Sequence, residues 1–245
     1  MIFKFYISLF TSLLCIAVCR AQPAKKAITQ PIKIEFRNVV DAQVMHLGTS
    51  YKNPFGEEYT PKSFKYYISN ISLHTYDGKI VSSKESHLIN EADSTSKTIA
   101  LKVPAGKFKQ ISFTVGVDSI YNVSGTQTGD LDPLKGMFWT WNSGYIMAKL
   151  EATSAASTAA NNNVAYHIGG FKGVQKTPRK VVLQFTDTLR VGGNNKVVIE
   201  ANANKWFDGE HSMKIATTPL CSSPGKLATQ FADNYSKMFK IAAAN

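Results

Sequence analysis

The side chains best suited to chemistry in this 245-residue chain are its imidazoles, its thioethers and a dense tryptophan segment. The histidines are His46, His74, His87, His167 and His211. No two stand at a spacing that would hold a metal on one short element, so a metal site has to be assembled in space from separate strands. His46 lies in Met45-His46-Leu47-Gly48 and His167 in Tyr166-His167-Ile168-Gly169-Gly170, two related His-aliphatic-Gly contexts beside strands. In His211-Ser212-Met213 one strand face can offer an imidazole and a thioether together. Imidazole and thioether suit copper, while a carboxylate-poor setting disfavours calcium and magnesium. The competing role for each histidine is an ordinary hydrogen-bonding residue at a strand end.

Gly136 to Ile146 holds Trp139 and Trp141, one residue apart, with Met137, Phe138 and Tyr145 around them. In one extended strand, alternation sets Met137, Trp139, Trp141 and Tyr145 on the same face. Such a face can be core, a stacking platform for a sugar or surface polymer, or material for redox chemistry. Asp118, Asp130, Asp132 and Glu151 are the acids that could pair for glycoside hydrolysis, though turn formation explains the three aspartates more simply. The chain has no P-loop, no dinucleotide-binding glycine fingerprint, no Gly-x-Ser-x-Gly elbow and no His-Glu-x-x-His. Cys221 reads as a partly buried loop thiol.

These residues need a scaffold. Hydrophobic content of 44% and charged content of 18% fit a globular protein. Lys4 followed by the apolar run from Ile7 to Val18 and by Cys19-Arg20-Ala21 reads as a signal peptide cleaved after Ala21. Val18 fits a lipobox ending at Cys19 poorly, so an exported periplasmic or secreted protein is expected ahead of a lipoprotein. Cleavage removes Lys4 and Arg20, which takes the net charge from +11 to +9 and leaves Cys221 without a disulfide partner. A scattered lysine excess without a nucleic-acid module points away from nucleic acid. No second run is long and apolar enough for a transmembrane helix.

Residues 22–31 read as a flexible leader and residues 32–245 as one domain. Short strands are predicted at Ile32 to Arg37, Val44 to Gly48, Phe64 to Leu73, Lys79 to Val81, Met137 to Leu150, Val164 to Ile168 and Lys180 to Phe185. Tyr51 to Pro61 reads as a turn region. Hairpins are predicted around Pro104-Ala105-Gly106 and Gly192-Gly193-Asn194-Asn195, and an exposed loop over Ala152 to Asn163. Ser222 or Ser223 caps a helix from Pro224 to about Ile241, with Leu227, Phe231, Tyr235 and Met238 at helical spacing. The expected fold is all-β: an antiparallel β-sandwich with a C-terminal amphipathic helix.

Several segments together carry a resemblance: Ile34-Glu35-Phe36, Lys65 to Ile71, Phe113 to Asp118, Leu131-Asp132-Pro133 with Gly136 to Tyr145, Tyr166-His167-Ile168-Gly169-Gly170, Trp206-Phe207-Asp208-Gly209 and Ala232-Asp233-Asn234-Tyr235. The chain resembles the MbnP-like copper-binding proteins, a family named for a methanobactin-associated exported protein. The resemblance implies a non-enzymatic copper-binding β-sandwich with a tryptophan oxidised to kynurenine by a dihaem cytochrome c peroxidase-like partner. Carried over by motif, His167 is the leading metal ligand, His46 a second ligand, and Trp139 or Trp141 the oxidisable residue. Asn38 stands where family segments often carry a histidine. The alternative is a non-catalytic module binding carbohydrate or surface polymer on Trp139, Trp141 and Tyr145.

Overall fold

The computed structural model describes residues 29–140, 143–192 and 195–244. The segment expected to be a signal peptide (1–21), most of the leader expected at 22–31 and Trp141 lie outside the described residues. The elements run β1 (Thr29–Val40), β2 (Gln43–Val44), β3 (Tyr51–Lys52), β4 (Glu58–Thr75), β5 (Ile80–Asn90), β6 (Thr98–Pro104), β7 (Gly106–Val115), β8 (Phe138–Thr140) and β9 (Gly144–Thr153). They continue with β10 (Asn163–Gly169), β11 (Arg179–Val191), β12 (Asn195–Asn202), β13 (Leu220–Cys221), the helix α1 (Lys226–Tyr235) and β14 (Phe239–Ala244).

Two sheets face each other. The smaller is ordered β14-β12-β1-β2, with β6 also on β1. The larger is ordered β11-β7-β4-β9-β10-β13, with β5 along the other side of the long β4. Alternation supplies the core. Ile32, Ile34 and Phe36 of β1 point at Phe64, Tyr66 and Ile68 of β4, all essentially fully buried. Phe36 packs edge-on against Phe113 at 5.6 Å between centroids, a favoured aromatic geometry. The helix seals one end by bringing Phe231 and Tyr235 against Trp206. Among the described residues no helix is long and apolar enough to cross a membrane.

The all-β sandwich with one short helix near the C-terminus stands as expected, but its sheets are mixed. β1 runs parallel to β12, and β10 parallel to β13. Neither Pro104-Ala105-Gly106 nor Gly192 to Asn195 closes a hairpin. β6 pairs with β1 while β7 pairs with β4 and β11, so that turn carries the chain from one sheet to the other. The same holds for β11 and β12. A turn signal reports a reversal of direction and is silent on which strand becomes the partner.

Other boundaries moved for local reasons. The strand predicted at Val44 to Gly48 stops at Val44, and the supposed turn region at Tyr51 to Pro61 contains β3 and the start of β4. The strand begun at Lys79 to Val81 runs on to Asn90. The segment from Ala152 to Asn163 is not simply exposed, because Ala152 is buried in β9 and Ser154 is buried with its hydroxyl bonded to the carbonyl of Glu58. The terminal helix spans only Lys226–Tyr235, is preceded by Gly225 without a side-chain cap, and gives way to β14. Phe239 and Ile241 belong to that strand, which pairs with β12.

Candidate functional site

Strand β10 turns Val164, Tyr166 and Ile168 into the main core. The alternate positions Ala165, His167 and Gly169 therefore lie on the outer face of the larger sheet. On β9 the same rule buries Ala148, Leu150 and Ala152 and sends Lys149 and Glu151 outward. Register then sets His167 opposite Lys149, Ala165 opposite Glu151, and Lys149 opposite Lys65 of β4. His167 Nε2 lies 2.7 Å from Glu151 Oε1. Lys149 Nζ lies 3.6 Å from the same carboxylate and donates to the Gly136 carbonyl at 2.8 Å. Lys65 Nζ donates to the carbonyl of Lys135 at 3.2 Å. Two lysines thus tie down the backbone immediately before the tryptophan segment.

The hydrogen bond from His167 holds the Glu151 carboxyl below the usual carboxylate range. Burial opposes this, and the Lys149 charge adds to the lowering. Glu151 is therefore ionised at neutral pH and can only accept. Its partner nitrogen, His167 Nε2, must carry the hydrogen. In the neutral ring Nδ1 is then the nitrogen left with a lone pair.

The tryptophan segment is not one strand. It folds into a tight hairpin of β8 and β9, pairing Phe138 with Tyr145 and Thr140 with Gly144. Gly144, at φ +75°, supplies the backbone conformation that a side-chain-bearing residue rarely adopts. The hairpin packs onto a second, smaller core outside the sheet, where Met137, Tyr145, Met147 and Phe171 are buried and Trp139 leans against them. Two hydrogen bonds anchor it: Tyr145 N donates to Asn122 Oδ1 at 2.8 Å, and Tyr145 Oη donates to the Leu131 carbonyl at 2.6 Å.

Trp139 lands on the histidine strand. A Cβ built on Gly169 would lie 2.6 Å from Trp139 Cζ3 and 3.0 Å from Cη2. The six-membered edge of the indole therefore rests on bare backbone at Gly169. That glycine is two residues from His167 on the same face, roughly 7 Å along the strand. Trp139 thus rests on the strand that carries His167, through a contact that only glycine permits.

The remaining candidates are placed elsewhere. His46 sits exposed in the loop after β2, its N–H donating to Tyr51 Oη at 2.8 Å. The neighbouring Gly48 N–H bonds the carbonyl of Pro61, which pairs with Ala152, three residues along β9 from the partner of His167. His211 Nε2 faces Asp233 Oδ2 at 3.5 Å, whereas Met213 is buried in the main core. Asn38 is also buried, donating to Glu91 Oε2 and accepting from Tyr66 Oη, both at 2.8 Å. Asp118 and Asp132 cap short 3-10 turns, and Asp130 accepts from Leu88 N–H and Lys135. Cys221 lies buried beside Tyr166, and burial pushes its thiol up to about 11. Tyr145 is 1% exposed, so a three-ring stacking platform is not available.

Sequence reasoning missed two residues. Glu151 entered only as a dispersed acid, because its meeting with His167 depends on strand register. Asn234 entered only as part of a motif. Its buried side-chain amide donates to the carbonyls of Trp206 and His211, and its Oδ1 accepts from His211 N–H. A Cβ on Gly209 would meet Asn234 atoms at 2.9 Å. Two of the motif segments therefore latch to each other and shape the loop that ends in Met213.

Donor chemistry tests the implied copper. An imidazole backed by a carboxylate on its far nitrogen is how metal-bound histidines are commonly held. His167 and Glu151 have that arrangement. Among the described residues no group of three or more His, Cys, Asp or Glu side chains is placed to hold a metal ion. The donor set therefore fits copper as one oriented imidazole beside an oxidisable ring, not as a closed cluster.

Comparison with known proteins bears on the same residues. The family model described as MbnP matches residues 29–223. The solved structure of MbnP from Methylosinus trichosporium matches with a TM-score of 0.60 and 15% identity, covering 88% of this chain and 100% of that one. Comparison with curated protein sequences finds no match.

Proposed function

The chain belongs to the MbnP family, and on that premise we propose that it is an exported copper-binding protein whose site centres on His167 and is completed by oxidation of a tryptophan. It acts by binding, in copper acquisition or handling, and not as a catalyst. The observation that carries this reading is the seat of Trp139 on Gly169, two residues from an imidazole already held by Glu151. Opening the indole to kynurenine puts an aryl amine and a carbonyl where an apolar ring stood, and nitrogen donors of this kind suit copper beside imidazole.

The oxidation needs a partner. A dihaem cytochrome c peroxidase-like protein draws the four oxidising equivalents from two molecules of hydrogen peroxide, each of which gives one oxygen atom to the indole and leaves the other as water. Cleavage of the indole C2–C3 bond gives the N-formyl compound, and hydrolysis releases formate. The signal-peptide reading of the leader sends the mature chain to the periplasm or beyond, where such a partner can meet it.

The test is intact mass and copper titration on the mature protein, produced with and without the peroxidase. The expected result is a mass change confined to the peptide holding Trp139 and Trp141, with tighter copper binding. His167→Ala should abolish that binding, and His46→Ala, which removes the second candidate ligand, should weaken it. Wild-type protein that binds copper no better than the double variant lacking both histidines overturns the reading.

A further inference from the structure

We propose that Glu151 is a positioning residue that fixes His167 as an Nε2–H tautomer and so presents Nδ1 as the metal-binding nitrogen. This rests on the copper reading above, and it assigns a role to a residue that no motif marked. The contact itself is the 2.7 Å approach of Nε2 to Glu151 Oε1. A carboxylate is an acceptor with no hydrogen to give, so the contact selects one tautomer of the neutral ring. The same contact fixes the ring plane, so that the remaining nitrogen points in one direction.

The backbone makes the pairing rigid. Glu151 and His167 lie on adjacent antiparallel strands as a diagonal pair two residues out of register, with Ala165 opposite Glu151 and Lys149 opposite His167. Leu150 and Ile168, the residues beside them, are fully buried, so neither strand can rotate its outward side chains away. Lys149 approaches the same carboxylate from within β9 and is itself tied to the Gly136 carbonyl. The carboxylate is thus held between a lysine that anchors the tryptophan segment and the histidine that faces it. Trp139 over Gly169 occupies the neighbouring position along the strand.

The experiment combines a spectroscopic readout on metal-free protein with Cu(I) titration. Nitrogen-15 shifts of the His167 ring are recorded in wild type, Glu151→Gln and Glu151→Ala, with a circular-dichroism melt of each to confirm folding. Wild type is expected to show hydrogen on Nε2 and a lone pair on Nδ1. Glu151→Ala is expected to show a tautomer mixture and copper binding about 10- to 100-fold weaker. Glu151→Gln, which keeps an acceptor oxygen, should restore part of both.

A lone pair on Nε2 in wild type overturns the proposal at once. Unchanged tautomer and unchanged affinity in Glu151→Ala overturn it while leaving His167 as a ligand. Absence of copper binding in wild type, equal to that of His167→Ala, removes the copper reading and this metal-directed role with it. The tautomer measurement then still reports whether Glu151 orients the ring.

Discussion

Gly169→Ala is the most direct perturbation of the joint between the tryptophan hairpin and the histidine strand. The new methyl would lie 2.6 Å from Trp139 Cζ3 and 2.8 Å from the Tyr145 carbonyl oxygen. The indole can swing away, but the carbonyl belongs to the neighbouring strand and cannot retreat without opening the sheet. Overpacking of this kind costs about 1 to 3 kcal/mol. Against it stands the entropy that alanine removes from the unfolded chain, about 0.4 to 1 kcal/mol. At the midpoints of these ranges the net loss is about 1.3 kcal/mol, which lowers Tm by roughly 3 to 5 °C for a domain of this size. Gly106→Ala is the control, because the nearest atom to its Cβ, Phe108 Cε2, is 3.7 Å away. That control should be neutral to within about 0.5 kcal/mol. Differential scanning calorimetry gives Tm, and tryptophan emission reports the ring, with a red shift expected for Gly169→Ala as Trp139 is pushed toward water. Equal Tm values and identical spectra for wild type and Gly169→Ala would refute the placement of Trp139 on Gly169.

Two further predictions concern the supports of the site. Asn234→Ala should cost about 3 kcal/mol or more in urea denaturation, since it orphans the carbonyls of Trp206 and His211 and the His211 N–H in a buried setting; a loss under about 1 kcal/mol would show that the latch is not needed. Glu57 is one of the carboxyls that contribute acid sensitivity: burial opposes its ionisation, but the N–H of Ala216, the Asn53 amide and the N–H of Ile215 outweigh it and hold the carboxyl below its ordinary range. A folded-state pKa below the unfolded value means that its contribution is complete above the unfolded carboxylate pKa of about 4.3 and is lost as pH falls through the lower folded value. Glu57→Gln should therefore flatten the acid limb of a Tm-versus-pH curve below about pH 4.3, and an unchanged limb would contradict the assignment.

The strands were legible where one face is buried. Ile32, Ile34 and Phe36 alternate with charged residues because β1 has one wet face, and the period of two survives in the sequence. The helix was legible over its first two turns for the same reason. It was overextended because Met238, Phe239 and Ile241 are apolar at positions that suit either a helical stripe or a strand lying on β12. The continuous reading of Met137 to Leu150 failed because its break is made by Gly144 and by the seat for Phe171 and Asn122 beside it, and both of those residues come from elsewhere in the chain. With the break, the extended face expected of Met137, Trp139 and Tyr145 became a small core instead: Met137 and Tyr145 are buried, and Trp139 packs against that cluster while its ring also covers Gly169.

The site followed the same division. Residue types and motif order were enough to single out His167 and the Trp139–Trp141 segment, because donor chemistry and aromatic density are properties of side chains. His46 and the His211–Met213 pair offer similar donors, and the fold leaves His46 in an exposed loop, sets His211 against Asp233 and buries Met213 in the main core. Glu151 was one acid among several until β9 and β10 took up their register. The sequence by itself determined which faces are apolar, which family the segments belong to and which side chains carry donor atoms. Tertiary structure alone decided which strands became neighbours, since partner choice minimises exposed apolar area over the whole chain and leaves no local trace. That choice is what set an indole on a bare glycine and a carboxylate behind an imidazole.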